Sequence, residues 1–243
     1  MPFRTIIGHR KLIALLSRSI GRESLPPSLI FAGPSGVGKR MAALATAQAL
    51  NCLAPITSGP ADSPDVDACG TCAACTRIVR GIHPDVLMIE PNDKGNIKID
   101  PVREAIRQSG YRPFEGRRRV TIIESADGLD ATGQNALLKV LEEPPASSVF
   151  ILVTALPDTL LVTVRSRCPL LRFRALATDD VVSALQQHPD RHVAYVLVVV
   201  IGVGEGESGA DAAVRQQGRP ASPAFFEPLL LQGADHIVGR EGA

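Results

Sequence analysis

Cys69, Cys72 and Cys75 recur at every third position, and Cys52 precedes them across a loop rich in proline, glycine and aspartate. Four converging thiolates can surround a zinc ion tetrahedrally. A shell made only of protein ligands leaves no open position for a substrate, so a zinc centre of this kind is structural and redox-inert. The same set suits an iron–sulfur cluster, and buried unligated cysteines are the third reading of the pattern. His83 lies nearby, but His83-Pro84 reads as a turn and not as a further ligand.

A second constellation is built on glycine. Gly33-Pro34-Ser35-Gly36-Val37-Gly38-Lys39 has the Walker A spacing. In that motif backbone N–H groups surround phosphate oxygens and the lysine reaches the outer phosphates of a nucleotide such as ATP or ADP. The next position ordinarily supplies a serine or threonine hydroxyl to magnesium. Here it is Arg40, and a guanidinium cannot ligate a cation. Downstream, Val120-Thr121-Ile122-Ile123 ends in Glu124-Ser125, where a Walker B strand ends in two acids. Glu124 can hold a metal-bound water at longer reach, or simply end a strand, whereas Ser125 is a poor base without a partner to activate it. Retained phosphate binding with hydrolysis lost is the expectation from these two departures.

Both constellations need elements to position them. Leu12, Ile13, Leu15, Leu16 and Ile20 fall on helical spacing between His9 and Arg22, with Gly21 as terminator. Pro26 and Pro27 precede a short apolar strand over 28–32, the glycine loop follows, and the alanine-rich 39–51 reads as a helix, giving strand, loop and helix in phosphate-binding order. The cysteine insertion ends in a short helix near 73–80. Strands are expected at 86–89, 119–123, 149–154 and 170–173. Helices are expected from Pro101 with Asp100 as its cap, from Asp130 or Thr132 to the Pro144-Pro145 pair, and over 158–165. This alternation implies a parallel sheet covered on both faces. Thr178 with Asp179 and Asp180 opens a helix of a second, smaller domain, while the sequence beyond His188 keeps no sustained period and carries no motif.

Composition narrows the function classes. A formal charge of +1 over 243 residues argues against a chain that coats nucleic acid by itself, so any DNA contact must be local. The absence of tryptophan and the presence of only two tyrosines count against a base-stacking platform. The strongest apolar run, Val193 to Val203, is too short to cross a bilayer as a helix, and clustered cysteines fit a reducing compartment, so a cytoplasmic protein is expected.

From Phe3 to about Gln187 the chain resembles the clamp-loader branch of AAA+ proteins. The resemblance is carried by Ile7-Gly8-His9, the Walker A loop, the four-cysteine insertion, the block from Asn135 to Pro145, Thr154 at the sensor position, and Ser166-Arg167-Cys168. It implies an α/β fold: an AAA+ P-loop NTPase domain over 1–175 with an inserted zinc module at about 52–80, then the start of a small helical domain over 176–190. Residues 191–243 stay unassigned, since they do not resemble the helical collar that the family leads one to expect. The family contains gamma and tau motor subunits that hydrolyse ATP and a delta-prime subunit that does so poorly or not at all, and Arg40 with Ser125 favours the latter. The resemblance further implies an assembly with gamma or tau and the delta subunit that places a sliding clamp on primed DNA. Arg167, by position alone an ordinary surface arginine, would then act in trans on the ATP of a neighbouring subunit.

Overall fold

Along the chain run β1 (Ser28–Ala32), β2 (Ile56–Ser58), β3 (Asp65–Asp67), β4 (Val86–Ile89), β5 (Arg119–Ile123), β6 (Ser148–Thr154) and β7 (Leu170–Arg172). Interleaved with them are α1 (Arg10–Gly21), α2 (Lys39–Asn51), α3 (Ala73–Val79), α4 (Ile99–Ser109), α5 (Ala131–Glu142) and α6 (Val162–Arg165). The computed structural model describes residues 1–178 and 180–182. Five strands form a parallel sheet in the order β4-β5-β6-β1-β7, as the alternation of elements predicts.

Alternate residues on each strand serve opposite layers. Leu29 and Phe31 of β1, Val120 and Ile122 of β5, and Val149, Ile151 and Val153 of β6 pack beneath α1, α2 and α3. Ile30, Ile123, Phe150 and Leu152 pack beneath α4, α5 and α6. Helix α2 buries Ala42, Ala43, Ala45, Ala47 and Ala49 together with Thr46 and Gln48, so it is enclosed nearly all round. Its small side chains suit close approach to the sheet, and its alanines favour the helix intrinsically.

The structure corrects three expectations. Helix α4 begins at Ile99 with Lys98 as its flanking residue; Asp100 lies inside the first turn instead of capping it. A carboxylate there still complements the positive helix end, and Pro101 costs no hydrogen bond because first-turn N–H groups have no intrahelical partner. The helix expected over 158–165 is divided into a 3-10 turn, Pro157–Thr159, and α6. Between them Leu160 is drawn into the core, and the Gln134 side chain accepts from the Leu161 N–H at 2.6 Å. The cysteine insertion also contains an antiparallel hairpin, β2 with β3. Of the two starts considered for α5, Asp130 is the cap, accepting the Gly133 N–H at 2.6 Å. Thr178, Asp180, Val181 and Val182 are helical, while most of the expected second domain and the whole 191–243 tail lie outside the described residues.

One buried carboxylate fixes the loop between α4 and β5. Asp85 accepts N–H bonds from Phe114, Glu115 and Gly116 at 2.7, 2.9 and 2.8 Å and pairs with Arg119 at 3.0 Å. Burial alone would raise its pKa, but these donors outweigh burial and hold it below the ordinary 3.8. Beside it, burial holds the His83 imidazole below 6.5 against the opposing pull of Glu115 and Asp85. The stability each contributes is complete above its ordinary value and is lost as pH falls through the folded one. Acid denaturation should therefore show a loss that begins below the ordinary histidine range and deepens below that of aspartate. In chemical denaturation at neutral pH, Asp85→Ala should cost about 3–5 kcal/mol, since it strands the poorly exposed Arg119 and three N–H donors.

Candidate nucleotide cleft and thiolate metal centre

Parallel pairing aligns Ala32 with Thr154, and Ile123 with Leu152, so the ends of β1, β6 and β5 open on one edge of the sheet. A cleft of about 320 Å³ lies there, lined by Ser35, Gly36, Gly38, Lys39, Arg40, Glu124, Ser125 and Thr154 among others. Gly33, Pro34 and Val37 of the loop do not line it. A side chain at Gly33 would meet the Phe173 carbonyl oxygen at 2.1 Å, so β1 can turn into the loop there only with glycine. The Lys39 ammonium donates to the carbonyls of Gly33 and Pro34, both at 2.6 Å. Its burial lowers its pKa against the pull of Asp127 and Glu124.

Arg40 faces the acids. Its guanidinium pairs with Glu124 through Nη1 and with Glu90 through Nη2, the latter at 2.6 Å. Burial pushes the Glu124 carboxyl up, and Arg40 only partly opposes this. Ser125 adopts a left-handed backbone, φ 51°, which turns the chain sharply off β5 into a 3-10 turn over Ala126–Gly128. That turn carries Asp127, whose Oδ1 accepts the Thr154 hydroxyl at 2.7 Å and the Ala155 N–H at 3.2 Å. Glu90 and Asp127 were missed from sequence. The available signal for Glu90 was its place just after a strand, and for Asp127 its position three residues beyond Glu124.

The cysteines converge as their spacing predicts: the four sulfur atoms of Cys52, Cys69, Cys72 and Cys75 all lie within 4.8 Å of one another. Sulfurs around a tetrahedral zinc at about 2.3 Å stand about 3.8 Å apart, and Cys52 and Cys72 already lie 3.9 Å apart. The Cys69 N–H donates to Cys52 Sγ at 3.2 Å, and that of Cys72 donates to Cys69 Sγ at 3.3 Å. N–H donors from Thr71 and Cys72 bring the Cys69 thiol down to about 6, whereas burial pushes Cys52 and Cys75 up. A bound cation supplies the charge that keeps four such thiolates together, so the cluster can hold a metal ion, and its donor set is compatible with structural zinc. His83 is not part of it; its Nδ1 accepts the Asp85 N–H at 3.1 Å.

This module also grips the start of the chain. Asp67 accepts the Phe3 and Arg4 N–H groups at 2.7 and 3.2 Å, and the Arg4 guanidinium reaches the carbonyls of Ala68 and Cys69 at 2.7 and 2.8 Å. Five residues on, His9 has a left-handed backbone and its Nε2 donates to the Val37 carbonyl of the glycine loop at 2.9 Å. Arg167 sits elsewhere: its guanidinium bonds the Thr163 carbonyl at 2.7 Å and the Glu142 carboxylate, and it does not line the cleft.

A P-loop entering a helix from the fourth strand of a β4-β5-β6-β1-β7 parallel sheet, with the acidic strand separated from it by β6, has the architecture of an AAA+ P-loop domain, here carrying an inserted thiolate module. Residues 8–177 match the family described as DNA polymerase III, delta subunit, and the chain belongs to that family. The DNA polymerase III subunit delta' of Pseudomonas aeruginosa is 36% identical over 156 residues, 64% of this chain and 45% of that protein. The subunit gamma/tau of Mycobacterium bovis is 32% identical over 174 residues, 72% of this chain and 29% of that protein. The chain thus spans less than half the length of either relative. A gamma subunit-related protein of Thermotoga maritima aligns with a TM-score of 0.47 at 22% identity, covering 75% of this chain and 55% of that one.

The grip of Asp67 on the first residues yields a test. Treating the protein with a chelator to strip any metal held by the cysteines, or substituting Cys69→Ser, should speed hydrogen exchange at the Phe3 and Arg4 amides while amides within β5 and β6 keep their protection. Asp67→Ala should do the same with the cysteines intact and lower stability by about 1 kcal/mol, as expected when partly buried and exposed donors lose their acceptor.

Proposed function

We infer that the chain is a delta-prime-like subunit of the bacterial DNA polymerase III clamp loader, one that hydrolyses little or no ATP itself. The observation that carries this reading is Arg40. It stands where the magnesium-binding hydroxyl belongs and pairs with Glu124, the acid that should serve the metal. Ser125, where the water-activating acid belongs, is in a strained left-handed turn, and among the described residues its hydroxyl makes no hydrogen bond to a base. Loss of hydrolysis leaves the phosphate loop intact, so ATP or ADP can enter the cleft without being cleaved.

In this reading the subunit assembles in the cytoplasm with gamma or tau motor subunits and the delta subunit, and through that complex acts on the sliding clamp and primed DNA. The cysteine module holds a structural zinc, and the sequence from about residue 176 onward begins the small helical domain. Arg167, partly exposed, tethered by Glu142 and away from its own cleft, suits delivery to the γ-phosphate of a neighbouring subunit's ATP. The alternative is an active gamma- or tau-like ATPase, favoured by the greater share of the chain over which the gamma/tau likeness extends.

One measurement separates them, and a second tests the trans role. The isolated protein should release no phosphate from magnesium-ATP; turnover abolished by Lys39→Ala would establish the motor reading instead. In the assembled loader, Arg167→Ala should lower ATP turnover at the adjacent site by about 10³-fold without altering this subunit's melting temperature, and unchanged turnover would remove the trans role.

A further inference from the structure

We propose that Arg40 is a tethered counter-ion occupying the place of the divalent cation, held there by Glu90 and Glu124, so that this cleft excludes magnesium. The inference rests on the non-hydrolysing reading and deepens it: the metal site has been replaced, not merely deprived of one ligand. Strands β4 and β5 pair with Ile89 opposite Ile123, which sets Glu90 and Glu124 side by side where the two strands end. Arg40, on the first turn of α2, reaches both carboxylates, with Nη2 2.6 Å from Glu90 Oε1 and Nη1 bonded to Glu124 Oε2.

The residues present do not fit magnesium. That ion demands a near-octahedral set of oxygens at about 2.0–2.1 Å. Arg40 offers no oxygen, and its own charge already lies between the two acids best placed to bind a cation. A guanidinium can address two carboxylates at once because its N–H donors are fixed in a planar fork. The triad is half exposed, with 47% of the Arg40 and 52% of the Glu90 side chain open to solvent, so its contribution to stability is modest. Its consequence is occupancy: a divalent ion would have to displace a cation covalently attached to the cleft wall.

The test uses the full chain with its cysteine site loaded with zinc, and manganese(II) in place of magnesium, read by the electron paramagnetic resonance of the free ion. The wild-type protein should leave that signal unchanged. Arg40→Ser, which restores a hydroxyl and frees both acids, should take up one manganese ion per chain, and adding Glu124→Gln should abolish the uptake. Arg40→Lys keeps a tethered charge and should stay free of manganese. Should the serine variant not fold, Arg40→Gln frees the same carboxylates and carries the same expectation. Uptake by the wild type that disappears with Glu124→Gln overturns the proposal, and so does the absence of uptake by a folded Arg40→Ser or Arg40→Gln protein. None of these readouts involves ATP turnover or assembly, so the subunit assignment and the cation exclusion fail or survive separately.

Discussion

Parallel register is the constraint on which the cleft depends. With β1, β6 and β5 hydrogen-bonded in parallel, the residues that follow Ala32, Leu152 and Ile123 must emerge on the same edge, and so the glycine loop, Thr154 and Glu124 share one cleft although they are far apart in sequence. Extending the sheet by β4 adds Glu90 to that edge by the same logic. A slip of one residue would exchange the two packing layers, placing Phe31 where Ile30 belongs, so the apolar core enforces the register that the cleft requires.

Local patterns were legible because local physics decides them. The order of strand, glycine loop and helix, the thiolate spacing, and the Asp130 cap each rest on neighbouring residues, and the structure keeps all three. The hairpin of β2 with β3 was not legible, since each strand is only three residues long, too short for any alternation to mark it. Asp100 next to Pro101 resembles a cap followed by a first helical residue; the helix begins earlier because Ile99 already satisfies its geometry and a first-turn proline is tolerated at more than one position. Arg40 could be read as a missing hydroxyl, but its pairing with Glu90 could not, because that depends on which strand lies beside β5.

Tertiary hydrogen bonding also gives the inserted module a role that its spacing alone does not suggest. The cysteines need no substrate-facing position, yet Asp67 and the carbonyls of Ala68 and Cys69 hold Phe3 and Arg4, and the same segment continues to His9 against the glycine loop. Gly8 lies in that path, with φ 74°, and a side chain there would meet Leu176 at 2.4 Å. One short segment is therefore touched by the cysteine module, by the phosphate loop and by the chain that leaves the sheet after β7. A centre remote from the phosphates can thus fix the geometry of the loop that would hold them.

The charges of the cleft complete the argument about what this domain does. Lys39 and Arg40 confront Glu90, Glu124 and Asp127, an excess of one acid that a hydrolysing site would offset with a divalent ion. Here the Arg40 guanidinium answers two of the acids, Thr154 and the Ala155 N–H answer Asp127, and Lys39 rests on the loop carbonyls. Each charged group has a protein partner before any phosphate arrives, so an incoming polyphosphate must compete with bonds already made. A motor site needs the opposite arrangement, in which the metal and the γ-phosphate complete the network and their loss reopens it. An edge whose network is closed by its own side chains is suited to hold one conformation.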